Sequence, residues 1–375
     1  GKLANRSAFQ NCLACHNTSK DLSSDELVPT RPEGVGCESC HGPAEAWKDS
    51  HYQGAASVQN AIDKLGLVDS KSELRRARMC TLCHVGGPDR DMNHDIIAAG
   101  HPALYFDYST YLAAYPKHWR DPALSTQDAQ LVATQRWLIG QFAKADSELE
   151  LIHSRISHAL PNSVWPEFSN FQCTSCHQTI EQLPHQNDSK NRGANQVLGQ
   201  APVRLWNLEG LKAAESALLN SSIPLSPSSS LLNDLQASKS STGSALDSIQ
   251  LEREKLMASL RSSVGKSTRQ FFPPWNVESQ KNWAKSQWEK ANEAGTWESF
   301  ALAYLATLPV SATGPAFDPN KTDLIRSLKT LRSGLLFPPD TQSPIFPRDD
   351  RTPEPPTKME WKSSLDLLIH SLEKY

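Results

Sequence analysis

Apolar residues recur at helical spacing through a long segment in the middle of the chain. Positions three, four and seven residues apart share one face of an α-helix, so this spacing predicts one long helix from Ser125 to about residue 160. Ser125 and Asp128 have the spacing of a capping box at its start, and Pro161 ends it. Its apolar stripe comprises Leu131, Leu138, Phe142, Ala145, Leu149, Ile152 and Ile156.

The last third of the chain shows amphipathic spacing in shorter pieces, which predict a helical subdomain. A Ser-rich segment, residues 221–244, and Pro-rich segments at residues 309–319 and 338–356 predict connections. Four Trp residues lie close together here, and core packing is favoured for them over a peptide- or carbohydrate-binding surface. The predicted helices are residues 251–260, 277–293, 297–308, 323–335 and 358–372, and the Trp residues are Trp275, Trp283, Trp288 and Trp297.

The first third of the chain has shorter periodic pieces between polar, irregular segments. Pro43 suits the first position of a helix, on which Ala44, Trp47 and His51 would share one face. Farther along, His94, Ile97 and His101 are spaced to share one face of a helix that Pro102 ends, and a further apolar stripe comprises Leu104, Tyr108, Tyr111 and Leu112.

These patterns predict a mainly α fold with extensive irregular loops. The change of character after the first half predicts two domains, residues 1–190 and residues 191–375, the second being a helical C-terminal domain with Ser-rich and Pro-rich linkers.

Cysteine use changes this picture. The chain has eight Cys, and all fall in four C-x-x-C-H pentapeptides. This pattern is the attachment signature of haem c, in which two thiols add to the haem vinyl groups and the following imidazole becomes the proximal iron ligand. The pentapeptides are residues 12–16, 37–41, 80–84 and 173–177.

Zinc knuckles and redox dithiols also use C-x-x-C pairs, but neither requires His immediately after the second Cys. His is rare in the chain, so its presence after all four pairs has a chance of about 10⁻⁶. We therefore predict four haem c groups, with the chain wrapped around closely packed haems. The predicted thioether residues are Cys12, Cys15, Cys37, Cys40, Cys80, Cys83, Cys173 and Cys176, and the proximal ligands are His16, His41, His84 and His177.

Eight further His residues are available as second, distal ligands, whereas Met is scarce. Two His ligands lower the reduction potential of a haem relative to a Met sixth ligand, so low-potential haems with two His ligands are predicted. The distal candidates are His51, His94, His101 and His118, and additional candidates are His153, His158 and His185, for which solvated histidines on helices are the alternative.

The segment Gly34-Val35-Gly36-Cys37-Glu38-Ser39-Cys40-His41-Gly42-Pro43, followed by His51, resembles the cytochrome c-554 family. That family is best known as the tetrahaem electron acceptor of hydroxylamine oxidoreductase. The resemblance covers about residues 30–120 and implies that His51 is a distal haem ligand. A Trp-Pro-Glu-Phe segment at residues 165–168 is similar to a broader group of multihaem proteins built on the same domain. The motif spacing, the distant fourth motif and the long C-terminal region depart from the c-554 pattern.

Electron transfer is the leading functional prediction, with redox-partner proteins as partners. One alternative is a subunit of a cytochrome filament for extracellular electron transfer, in which copies of the chain bind each other. Another is an oxidoreductase that acts on small nitrogen compounds at a five-coordinate haem, although no C-x-x-C-K motif is present.

The remaining features of the sequence bound these functions. The formal net charge is -3 without a basic stripe, so no nucleic acid is predicted as a partner. No apolar run reaches the roughly 18 residues of a membrane span. Covalent haem attachment takes place on the export side of the membrane, and the chain begins Gly1-Lys2-Leu3 without a signal peptide. We therefore expect a processed, exported protein, either periplasmic or extracellular at the cell surface.

Overall fold

The computed structural model describes residues 6–18, 34–121, 125–158, 167–171, 204, 206–217, 246–251, 253–255, 277–311, 319–335 and 358–374. These residues are mainly helical, which confirms the predicted fold class. Within them there is no β-strand; Gly87 and Arg90 form an isolated bridge, and Phe171 also has a bridge conformation. The helices are α1 (Arg6–His16), α2 (Glu38–His41), α3 (Ala55–Lys64), α4 (Glu73–His84), α5 (His94–Ala98), α6 (Tyr108–Ala114), α7 (Thr126–His158), α8 (Trp206–Ala217), α9 (Val277–Ala294), α10 (Trp297–Ser311), α11 (Pro319–Leu335) and α12 (Lys358–Lys374), with a 3₁₀ turn at Phe168–Asn170.

Helix α7 is the predicted long helix, and it is shared by two parts of the fold. Its start is capped as the sequence predicts, because the Asp128 backbone N–H donates to Ser125 Oγ at 3.1 Å and Ser125 Oγ donates to the Asp128 carboxylate at 2.7 Å. One side of α7 packs on α4 and α6, and other residues of it pack on α8 and α10.

Two hydrophobic cores lie against α7. The smaller core joins Ile139 and Ala143 of α7 to buried residues of α4, α6 and the segment before α6. The larger core joins α7 to α8 and to the helices α9–α12. Helix α7 therefore connects the region of the C-x-x-C-H motifs to the C-terminal helices.

The Trp residues of the C-terminal region form part of the larger core, as predicted. Trp283, Trp288 and Trp297 are all buried. Each indole N–H has a hydrogen-bond acceptor: the Ala213 carbonyl at 3.1 Å, the Thr307 hydroxyl at 2.8 Å and the Leu335 carbonyl at 3.1 Å, respectively. A buried Trp with a bonded N–H fits a packed core. Trp275 lies outside the described residues.

The predicted helix after Pro43 is wrong, because residues 45–52 form successive turns. Their hydrogen bonds alternate between three-residue and four-residue spans: Trp47 N–H and Lys48 N–H both donate to the Ala44 carbonyl, at 3.1 and 2.8 Å. The Ala44 N–H is bound by the Glu38 carboxylate at 2.6 Å, so α2 anchors the start of this segment.

The helix predicted to carry both His94 and His101 is also wrong in its length. Helix α5 ends at Ala98, and Gly100 adopts a φ of 107°, which favours Gly. The His101 N–H then donates to the Ile96 carbonyl at 3.2 Å, closing the helix end. His101 therefore leaves the helix, and the two His residues do not share a helical face.

In the C-terminal region the helix bounds differ slightly from the predicted ones. Helix α10 continues through Pro309 to Ser311, although Pro309 was predicted to begin a connection. Helix α11 begins four residues earlier than predicted, at Pro319, where a missing N–H costs nothing. Among the described residues, none of the helices combines the length and apolarity that a membrane crossing requires.

Candidate multihaem site

A cavity of about 1690 Å³ lies in the region of the first three C-x-x-C-H motifs, and we call it the chamber. Its volume exceeds the roughly 300–1,000 Å³ of a pocket for one small ligand. Most of the Cys and all of the motif His residues of these three motifs line it: Cys12, Cys15, His16, Cys40, His41, Cys80, Cys83 and His84. The fourth motif, residues 173–177, and His185 lie outside the described residues.

Each of the three described motifs ends a helix. His16, His41 and His84 are the last residues of α1, α2 and α4. Helical geometry brings residues three apart to the same side, so the two Cys of each motif are neighbours there. The predicted arrangement of thiols and a following imidazole is therefore compatible with the backbone of all three motifs.

The thiols show that the three motifs adjoin one another. A hydrogen bond with Cys83, and then burial, raise the pKa of Cys15 above its usual value. Burial, and then the charge of Cys40, raise the pKa of Cys80 to about 12. The thiols of the third motif therefore lie near thiols of both the first and the second motif, which would bring cofactors on these motifs close together.

Two pairs of imidazole rings lie close together in the chamber wall, with interplanar angles of 65° and 77°. The ring centroids of His16 and His101 are 6.2 Å apart, and those of His41 and His118 are 5.9 Å apart. A metal bound by two opposite imidazoles, each at about 2.0–2.1 Å, places their centroids roughly 6 Å apart. Both pairs therefore have the separation that one metal between them requires.

The ring nitrogens and pKa values support this arrangement. His101 Nδ1 is 2.9 Å from the Pro102 carbonyl, so a bond there leaves Nε2 for a metal. Burial, and then His118, lower the pKa of His41, which favours the neutral imidazole that binds metals.

The residues present fit haem better than a bare ion. The described residues contain no group of three His, Cys, Asp or Glu side chains arranged around one ion. A haem iron needs only two axial ligands from the protein, because the porphyrin supplies the other four. Pairs of imidazoles beside motif thiols meet that need.

His84 has different neighbours. Its ring stacks on Phe106 at 4.6 Å with an interplanar angle of 16°, and it contacts Tyr111 at 4.7 Å. Burial, and then His16, lower its pKa. Phe106 was not a sequence-predicted site residue, and no spacing to a motif distinguished it.

Two predicted distal ligands lie elsewhere. His51 does not line the chamber: its Nδ1 is 3.0 Å from the Lys48 carbonyl, and its ring contacts Trp47 and Tyr52. The His94 ring contacts Phe168 at 5.7 Å, and its backbone N–H donates to the Glu167 carboxylate at 2.8 Å.

Of the other candidates, His153 is half-buried on α7, and His158 ends α7 with its side chain outside the described set. The ligand roles of these residues, and that of His185, stay predictions.

One polar group in the chamber wall was not found from the sequence. Glu73 contacts Arg76 on its own helix, Arg136 on α7 and Tyr108 on α6. The spacing of Glu73 and Arg76 is that of a helical pair. Nothing in the sequence could have linked them to Arg136.

A protein-family model described as cytochrome c554 and c-prime matches residues 2–42, which include the first two motifs. No curated protein and no solved structure matches the chain. The match supports the resemblance to that family and, with it, covalently bound haem c, electron transport as a multihaem cytochrome, and an exported protein.

Proposed function

We propose that this chain carries electrons through four haem c groups, each bound by two His residues where the chain offers a pair. The ring separations carry this proposal: His16 with His101, and His41 with His118, each fit one iron. The sequence distance between partners, such as residues 16 and 101, makes an accidental local contact a poor explanation.

The other two haems belong to the third and fourth motifs, with His84 and His177 as proximal ligands. His94 is the distal candidate for the fourth haem, since it contacts the segment 167–171, which one residue separates from the fourth motif. His51 is a further distal ligand by resemblance, and its Nδ1 contact with the Lys48 carbonyl leaves Nε2 for a metal.

The protein's own part in electron transfer is positional. The thiols fix haem edges, paired imidazoles hold the axial positions, and the adjoining motifs set short distances between neighbouring haems. When bound, the haem iron supplies the one-electron chemistry. A redox-partner protein outside the cytoplasm, in the periplasm or at the cell surface, would donate or accept the electron.

One observation favours an alternative function. The ring contacts of His84 are aromatic rather than an imidazole. A haem held there by one protein ligand would be five-coordinate and could act on small nitrogen compounds. A high-spin ferric signal together with turnover of nitrite or hydroxylamine would favour this enzyme, and its absence would favour the carrier.

A second observation favours the filament alternative. His51 is half-buried and lies outside the chamber beside Tyr52, which is 71% exposed. A His outside the chamber and next to an exposed residue could serve a haem of another copy of the chain. Electron microscopy of concentrated holoprotein would show fibres in that case and monodisperse particles otherwise.

The test of the carrier exchanges distal ligands. His101→Met and His118→Met should each raise the potential of one redox transition, because Met raises the potential of a haem relative to His. His370→Met, an exposed change on α12, is the control. Titrations of both variants that match the control would overturn the two ligand pairs.

A further inference from the structure

The chamber wall is more positive than negative. Five basic and three acidic side chains line it, apart from His. A haem carries two propionate carboxylates, so a positive wall complements the charge that haem would bring. The basic residues are Lys71, Arg76, Arg90, Arg120 and Arg136, and the acidic ones are Glu73, Asp91 and Asp121.

Two of these Arg residues share one acid. Arg136 Nε lies 3.2 Å from Glu73 Oε1, and Arg76 Nη1 lies 3.7 Å from the same oxygen. The Tyr108 hydroxyl donates to that oxygen as well, at 2.6 Å. One carboxylate oxygen is therefore approached by three donors, and it cannot satisfy all the N–H groups around it.

The shortage falls on the two guanidinium groups. Arg76 Nη1 and Arg136 Nε are buried, and apart from their ion pairs with Glu73 neither makes a hydrogen bond within the described residues; Arg136 Nη2 lies 3.4 Å from Asp121 Oδ1. Buried donors in native proteins are nearly always well bonded, so two guanidinium groups that share one acceptor at a cavity wall indicate that a further acceptor would be bound there. Arg76 is held in place meanwhile: its Nε donates to the Ser70 carbonyl at 2.9 Å, and its guanidinium lies 5.1 Å from the Trp119 ring centroid.

We propose that Arg76 and Arg136 bind a propionate carboxylate of the haem held between His41 and His118. This assignment rests on the proposed function. Arg76 lies on Trp119, whose ring is 5.2 Å from that of His118, so the Arg pair is close to one ligand of that haem.

The haem of the third motif is a poorer match. Arg76 is four residues before Cys80, one helical turn, and its charge acts on the Cys80 thiol. Haem c carries its propionates on the edge opposite its thioether bonds. The edge nearest Arg76 would then be the thioether edge of that haem, which has no carboxylate.

Guanidinium groups bind carboxylates through paired N–H groups and keep them ionised. Their positive charge also favours the reduced iron over the oxidised one, which carries one more positive charge. Arg76 and Arg136 would therefore hold one haem at a higher potential and make that potential insensitive to pH.

The test uses holoprotein with Arg76→Gln, Arg136→Gln or both. Potentiometric titration at several pH values should show one transition moved to lower potential and newly dependent on pH, because the unpaired propionate then titrates. Arg75→Gln, an exposed change next to Arg76 on α4, is the matched control and should leave every transition in place.

Measuring the haem content distinguishes a wrong carboxylate assignment from a wrong proposed function. If the Gln variants carry the wild-type number of haems and titrate like Arg75→Gln at every pH, the carboxylate assignment is wrong while the electron carrier stands. If wild type carries no haem, the proposed function itself is wrong.

If the Gln variants yield no holoprotein, the same potentiometric titration of Arg76→Lys and Arg136→Lys tests the assignment. Lys keeps the charge but lacks the paired N–H groups. The same transition should then move down by less, whereas curves identical to the control would overturn the assignment.

Discussion

The motif region and the C-terminal helices differ in what fills their centres. In the C-terminal region, Trp and Leu side chains of α9–α12 close on each other and on α7. In the motif region, a small apolar core lies beside a cavity of about 1690 Å³ lined by thiols, imidazoles and charged groups. Protein interiors are normally close-packed. The side chains of the motif region do not fill the chamber at its centre.

This difference indicates two sources of stability in one chain. The C-terminal helices bury enough apolar surface to hold one another. On the proposed function, the motif region would depend on bound haem for most of its interior. The following experiments test that contrast, from the largest expected effect to the smallest.

Removing one attachment site should damage the motif region most. With Cys80→Ala and Cys83→Ala together, we expect one haem fewer and loss of protease resistance across residues 34–121, because thiols of the third motif lie near those of both other motifs. Haem analysis by alkaline pyridine spectra and limited proteolysis measure this.

The same change at Cys12 and Cys15 provides the comparison. That motif ends α1, whereas the third motif ends α4, which packs on α6 and α7, so the loss of resistance should be smaller. Equal resistance in wild type and in the Cys80/Cys83 variant would show that the chamber does not depend on haem.

A core substitution should damage the C-terminal helices and leave the haems alone. Trp288 is fully buried and donates a hydrogen bond to Thr307. Trp288→Ala should lower the free energy of unfolding of these helices by about 3–5 kcal/mol. Far-ultraviolet circular dichroism in denaturant measures this, with exposed Glu289→Ala as control. A changed haem spectrum in native buffer would contradict the separation of the two regions.

The boundary between the regions holds a buried amine. Lys144 on α7 is fully buried, its Nζ lacks a hydrogen bond to the described chain, and it lies 4.7 Å from the Trp206 ring centroid. Burial lowers its pKa from 10.5 to about 8, while Asp107 and Glu209 oppose the change. A buried, unpaired charge opposes folding.

Lys144→Met should therefore raise the free energy of unfolding by about 2 kcal/mol at pH 7. Between pH 8 and 10.5 the unfolded chain keeps a proton that the folded chain has lost, so wild-type stability rises across that window. The variant should lack this rise. Exposed Lys290→Met is the control, and a variant less stable than wild type at pH 7 would contradict the reasoning.

The same contrast explains which elements could be predicted from sequence. Helices α7 and α9–α12 pack apolar residues on apolar residues, so the spacing of their side chains predicts them to within a few residues. In the motif region, helical spacing wrongly predicted a helix over residues 45–52, where the chain forms turns. It also predicted one helix from His94 to His101, which ends early because Gly100 adopts a positive φ.

The sequence predicted which residues belong to the site, but not which His residues lie opposite each other. The motifs predict the thioether Cys and the proximal His residues, and His101 and His118 were candidates for the opposite positions. Which rings face each other depends on contacts between residues 85 or 77 positions apart, as for His16 with His101 and His41 with His118. Local spacing carries no information about such contacts, and Arg136 with Glu73 is a further case.

The most direct test of the account is the intact mass of this chain after production with a haem-attachment system and extraction in acidified acetone, which removes only unattached haem. The account predicts the 41.5 kDa polypeptide plus four haem groups. The mass of the bare polypeptide would contradict the claim that haem completes the motif region.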